Sequence, residues 1–153
     1  MTDDGSATTG DRRIVVGLDG SPGSLAALHW AIAQARMSRR TVEVVVAARR
    51  PPAHGFGYGL DSALRERELE PLQAQQILDG VIAEAAHDRQ VPTVRLVGRV
   101  VDGAPLPVLL DAAEGADMLV IGRHTRHSVV EALLGSISDL CVRHSPCPVV
   151  VLP

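Results

Sequence analysis

Five short apolar runs, at 14–18, 42–48, 93–100, 118–121 and 149–152, alternate along the chain with helix-patterned stretches. The run at 118–121 has no turn signal inside it, which suits a strand buried on both faces. The run at 42–48 is rich in valine, a residue that favours strands. The intervening helices fall at 24–37, 62–89, 106–114 and beyond Ser136. Such alternation predicts an α/β domain built on a parallel, doubly wound sheet with right-handed crossovers.

The last quarter of the chain carries the densest pattern. The run at 118–121 stops at Gly122, a polar and basic loop follows, and Gly135-Ser136 opens a helix. Ile137, Leu140, Cys141 and His144 lie at helical spacing on one face. Pro146 and Pro148 stop that helix before the final run. A strand that feeds a helix through glycine and serine leaves main-chain N–H groups unpaired at the helix start. These attract anions, phosphate above all.

At the other end, the first run closes on Asp19-Gly20-Ser21-Pro22. An acidic residue at the C-terminal end of a first parallel strand stands where open sheets place ligand contacts. Helix capping by Asp19 or Ser21, with Pro22 early in the helix, is the plainer reading, and both roles can hold together. In the helix 24–37, Leu25, Leu28, Ile32 and Ala35 make one apolar stripe and Ala26, Trp30, Ala33 and Met37 a second. A face that wide predicts burial against a sheet. His29 reads as a packed helix residue. The loop at 49–60 holds two prolines, three glycines, Phe56 and Tyr58. It is either a simple connection or a lid whose aromatics stack on a base. Pro71 breaks or restarts the helix at 62–89, and the charges at 65–68 read as a solvated face.

Composition narrows the functions. The chain has 153 residues, 46% hydrophobic and 22% charged, with one Trp, one Tyr and one Phe. That fits a single domain with an aliphatic core. A net charge of −3 argues against broad nucleic-acid binding. All 15 basic residues are arginines, which removes the P-loop and any lysine Schiff base. Cys141 and Cys147 form no CxxC, so a disulfide framework or cysteine zinc site is unsupported and a cytoplasmic protein with reduced thiols is expected. Residues 1–11 are acidic and polar, a loose tail rather than a signal peptide. No run approaches membrane-spanning length. No GxSxG or HExxH is present, and His124 and His127 would need further ligands to hold a metal.

From Arg13 to Pro153 the chain resembles the universal stress protein family. The resemblance is carried by IVVGLDGSPGS, ALHWA, Gly103-Ala104-Pro105 and SPCPVVVLP. The nucleotide-binding branch of that family has Gly-x2-Gly-x9-Gly-Ser/Thr after its fourth strand. Gly122, Gly135 and Ser136 match in type and spacing, and Thr125 replaces the middle glycine. The resemblance implies a Rossmann-like, adenine nucleotide alpha hydrolase-like domain over 12–153, with strand order 3-2-1-4-5 and its crevice between strands one and four. It implies a regulatory protein of the stress response that binds ATP, with or without magnesium, and hydrolyses it slowly at most. Carried over by position, Asp19 contacts the ribose and phosphate region, and the Ala47 main chain meets adenine. Ile121 and Gly122 close on ribose and phosphate. Gly135, Ser136, Ile137 and Ser138 supply N–H and hydroxyl groups, and Arg123 and Arg126 neutralise phosphate charge. A β-branched Thr125 strains or re-shapes the loop where glycine is the rule, with its hydroxyl as compensation. The family also implies a homodimer through the last strand. A second branch, lacking the glycines, supplies the alternative of a nucleotide-free scaffold acting through protein partners.

Overall fold

The computed structural model describes residues 12–50, 68–88, 94–123 and 136–153. The tail at 1–11, the Phe56 and Tyr58 segment, and Thr125, Arg126 and Gly135 lie outside the described residues. The elements run β1 Arg13–Gly17, α1 Pro22–Ser38, β2 Thr41–Ala48, α2 Pro71–His87, β3 Leu96–Asp102, α3 Pro105–Ala113, β4 Met118–Gly122, α4 Ile137–His144 and β5 Val149–Leu152. The strands form one five-stranded sheet, parallel throughout, in the order β3-β2-β1-β4-β5.

Alternation along each strand sends side chains to two cores, one on each face. Ile14, Val16 and Leu18 join Ala27, Leu28, Ala31 and Leu78 on the α1/α2 face. Val15, Val45, Leu119 and Ile121 join Val108, Leu109 and Cys141 on the α3/α4 face. This doubly wound layering is what the alternating pattern predicts. The one charged residue in β2, Glu43, is held between Arg13 Nε at 2.9 Å and Arg99 Nε at 2.6 Å. An ion pair across three strands thus replaces an apolar contact there.

The helix ends follow from local chemistry. Ser21 caps α1, its Oγ accepting the Ser24 N–H at 3.2 Å, with Pro22 just inside the helix. Arg39 closes it in the left-handed region, at φ 53, with its N–H directed to Ala35 O. Pro71 starts α2, where its missing N–H is harmless.

Four expectations are corrected. On α1, Ala26, Ala33 and Met37 face solvent, Met37 at 81% exposure. The helix lies on one side of a single sheet, so one stripe of Ala27, Leu28, Ala31 and Ala35 suffices, and Trp30 is its half-buried flank. His29 is likewise exposed. On α4 the buried residues are Ser138 and Cys141, while Ile137 and His144 are exposed. The third strand is Leu96–Asp102, later than 93–100, because it pairs along β2 from Val42↔Leu96 to Ala48↔Asp102.

Candidate functional site

The strand order reverses between β1 and β4, and the crevice of an open parallel sheet lies beyond the C-terminal ends of those strands. The β1–α1 turn is built from its own side chains. The Ser21 N–H donates to Asp19 Oδ1 at 2.9 Å, an Asx turn. Gly20 takes φ 80, a conformation that favours glycine. The Asp19 N–H donates to Ser24 Oγ at 3.3 Å, and that hydroxyl donates to Ser21 O at 3.0 Å.

Gly122, at the end of β4, lies directly against the first turn of α1. A Cβ there would meet the carbonyl of Gly23 and stand 2.6 Å from Ser24 N. A Cβ on Gly23 would stand 3.1 Å from the Arg123 carbonyl oxygen. Two glycines, far apart in sequence, therefore let helix and strand end touch main chain to main chain.

The peptide that leaves β4 is held at both poles. Ser138 Oγ donates to Gly122 O at 3.2 Å, and the Arg123 N–H donates to Leu152 O at 2.7 Å. The Ser138 proton is thereby engaged, and its oxygen retains acceptor capacity. Ser136 caps α4, accepting the Asp139 N–H at 3.2 Å. Asp139 sits in the first turn of that helix and faces its positive dipole end.

Ser24 is thus hydrogen-bonded to Asp19 and packed against Gly122, whose carbonyl accepts from Ser138, with Ser136 and Ile137 two and one residues before Ser138. The Ile121 side chain is buried on the α3/α4 face, where it borders Gly17. Ala47 is half-buried near the end of β2, on the far side of β1, in register with Val101. Arg123 is exposed. Thr125, Arg126 and Gly135 fall outside the described residues. Beside Ala47, a depression of about 520 Å³ is lined by Ala48, Arg49, Arg50, Pro71, Val100 and Asp102. Sequence reasoning missed Gly23 and Ser24. The signal was there: a glycine in the first turn of a helix is unfavourable unless something must approach closely.

The fold and the crevice define an open, doubly wound α/β domain of the Rossmann-like kind. Residues 11–153 match the universal stress protein family, and the chain belongs to that family. Universal stress protein Rv1996 of Mycobacterium tuberculosis is 34% identical over 152 residues, covering 92% of this chain and 47% of the relative. Universal stress protein Rv2623 of the same species is 28% identical over 142 residues, with 91% and 46% coverage. The chain spans about half the length of the curated relatives it matches. Among solved structures, a universal stress protein in complex with cAMP is 26% identical, covering 93% of this chain and 97% of the other, with a TM-score of 0.69. An Arabidopsis thaliana family protein with AMP bound shares the fold at TM-score 0.58 and 16% identity, with 92% and 90% coverage. No helix among the described residues is long and apolar enough to cross a membrane.

Proposed function

We propose that the chain binds an adenine nucleotide, ATP in the first instance, in the crevice beyond β1 and β4, and acts as a nucleotide-responsive regulatory protein. The observation that carries this reading is the link from Asp19 through Ser24 to Gly122 at the strand-order reversal. Relatives that hold cAMP and AMP on the same fold support it. In this reading Asp19 contacts the ribose and phosphate region, accepting from the ribose hydroxyls, and the Ala47 main chain takes adenine. Ile121 and Gly122 border the ribose through their main chain. Ser136, Ile137 and Gly135 offer N–H groups to the phosphates, with Arg123 and Arg126 neutralising charge. In this reading magnesium enters as the counter-ion of the phosphates.

Calorimetric titration with ATP, with and without magnesium, on protein freed of co-purified nucleotide tests the reading. Binding heat and a raised melting temperature are expected. Neither effect at millimolar ATP overturns it. The second reading, a nucleotide-free homodimer acting through protein partners, would then stand. It draws on β5, which among the described residues forms a ladder with β4 alone and carries the exposed Val151.

A further inference from the structure

Two polar side chains are buried among the described residues, Ser24 at 4% exposure and Ser138 at 6%. Both make their hydrogen bonds inside the candidate site. A buried hydroxyl lowers stability unless its hydrogen-bonding capacity is met. Ser24 meets it twice, accepting from the Asp19 N–H and donating to Ser21 O. Neither bond is needed to start the helix, because the Ser21 side chain already caps α1. Alanine at this position would also have the higher helix propensity. What the Ser24 hydroxyl adds is a tie from the first turn of α1 back to the Asp19 main chain.

We propose that Ser24 is a positioning residue for the adenine-nucleotide site, setting where Asp19 stands relative to Gly122; the inference rests on the nucleotide reading above. Ser24 touches both sides of the crevice. Its hydroxyl holds Asp19 on the β1 side, and its main-chain nitrogen lies against Gly122 on the β4 side. The Asx turn fixes the Asp19 carboxylate relative to Ser21, and the Ser24 hydroxyl fixes that turn relative to the helix. Loss of the hydroxyl leaves the Asx turn and the Ser21 cap in place and removes the hydrogen bond that ties the Asp19 main chain to the helix. A carboxylate displaced by a fraction of an ångström meets the ribose hydroxyls in poorer geometry.

The test is calorimetric titration of the full chain, freed of nucleotide, with AMP as probe. Ser24→Ala is expected to weaken AMP binding by about tenfold with an unchanged circular dichroism spectrum. Ser24→Thr, which keeps the hydroxyl, is expected to stay within about threefold of wild type. The decisive reading comes in an Asp19→Ala background. There Ser24→Ala should cost no further affinity, yet lower the melting temperature as much as it does with Asp19 present. An affinity loss that simply adds to that of Asp19→Ala overturns the proposal, as does AMP binding by Ser24→Ala equal to wild type. If Ser24→Ala does not fold, Ser24→Cys, similar in shape and a weak acceptor, takes its place in the same cycle. Wild-type protein that binds neither AMP nor ATP overturns the nucleotide reading and this inference together, and shows itself before any substitution is made.

Discussion

Gly122 and Gly23 meet main chain against main chain, with no room for a methyl group on the Gly122 side. No flexible side chain stands there to move aside, so Gly122→Ala must push α1 away from β4. Overpacking of this kind costs about 1–3 kcal/mol, and the upper end is expected here. Gly23→Ala should cost less, since its Cβ would stand 3.1 Å from one carbonyl oxygen and alanine favours a helix. Urea unfolding of both variants checks the order. Equal stability of Gly122→Ala and wild type would mean that helix and strand end do not touch.

Cys141 is fully buried and its thiol is pushed from an ordinary 9.0 up to about 11 by desolvation. Cys147 is half-buried, beside Ser145. A thiol reagent at pH 8 should therefore modify Cys147 first and Cys141 only as the fold opens. The sign of the pH effect follows from linkage. The folded state holds the Cys141 proton more tightly than the unfolded state, so its contribution is fully present below pH 9 and is lost as pH rises towards 11. The size is roughly 2–3 kcal/mol. Cys141→Ala should flatten the stability profile across that window, measured by urea unfolding at pH 8, 9.5 and 11.

Thr125 stands where the family motif has glycine. On the nucleotide reading, Thr125→Gly should tighten ATP binding, by about tenfold if the side chain strains a positive-φ position by 1–2 kcal/mol. Gly135→Ala should act in the other direction and weaken ATP by more than about tenfold. Calorimetry on both variants checks the pair. Unchanged or weaker binding by Thr125→Gly would assign its hydroxyl a contact of its own.

A homodimer through the outer edge of β5 is proposed, and the structure selects the better probe for it. Val150 packs against the α1/α2 core, so charge there would test folding as much as association. Val151 is 36% exposed on the edge strand. Val151→Asp should convert a dimer to a monomer with an unchanged circular dichroism spectrum. Sedimentation of wild type as a monomer at tens of micromolar would remove the dimer. A dimer untouched by Val151→Asp would move the interface elsewhere.

The layering was legible because apolar runs and helical periods are local signals. Strand order was not: it came from the family resemblance, since nothing within β1 records that β4 is its neighbour. The width of the α1 face was overread because alanine fits a buried stripe and an exposed one equally well, as Ala27 and Ala33 show. The start of β3 was misplaced because register is set by β2, a partner distant in sequence. At the candidate site, Asp19, Gly122 and Ser136 stand out by motif. The bonds from Ser24 to Asp19 and from Ser138 to Gly122 do not, because small residues in first helical turns carry no sign of their long-range partners.

The order β3-β2-β1-β4-β5 also divides the sheet into two wings, each wound from one continuous stretch of the chain, β1 to β3 within 13–102 and β4 to β5 within 118–152. The strand ladder between the wings is β1 with β4, in register over Ile14↔Met118, Val15↔Leu119 and Val16↔Val120. It is a hem three rungs long, with α1 laid across it. The crevice opens at the end of that hem, with Asp19 on one wing and Gly122 on the other. On the nucleotide reading, a molecule bound to both would act as a stitch at the end of that seam, so that ligand occupancy and cohesion of the two wings would become one equilibrium.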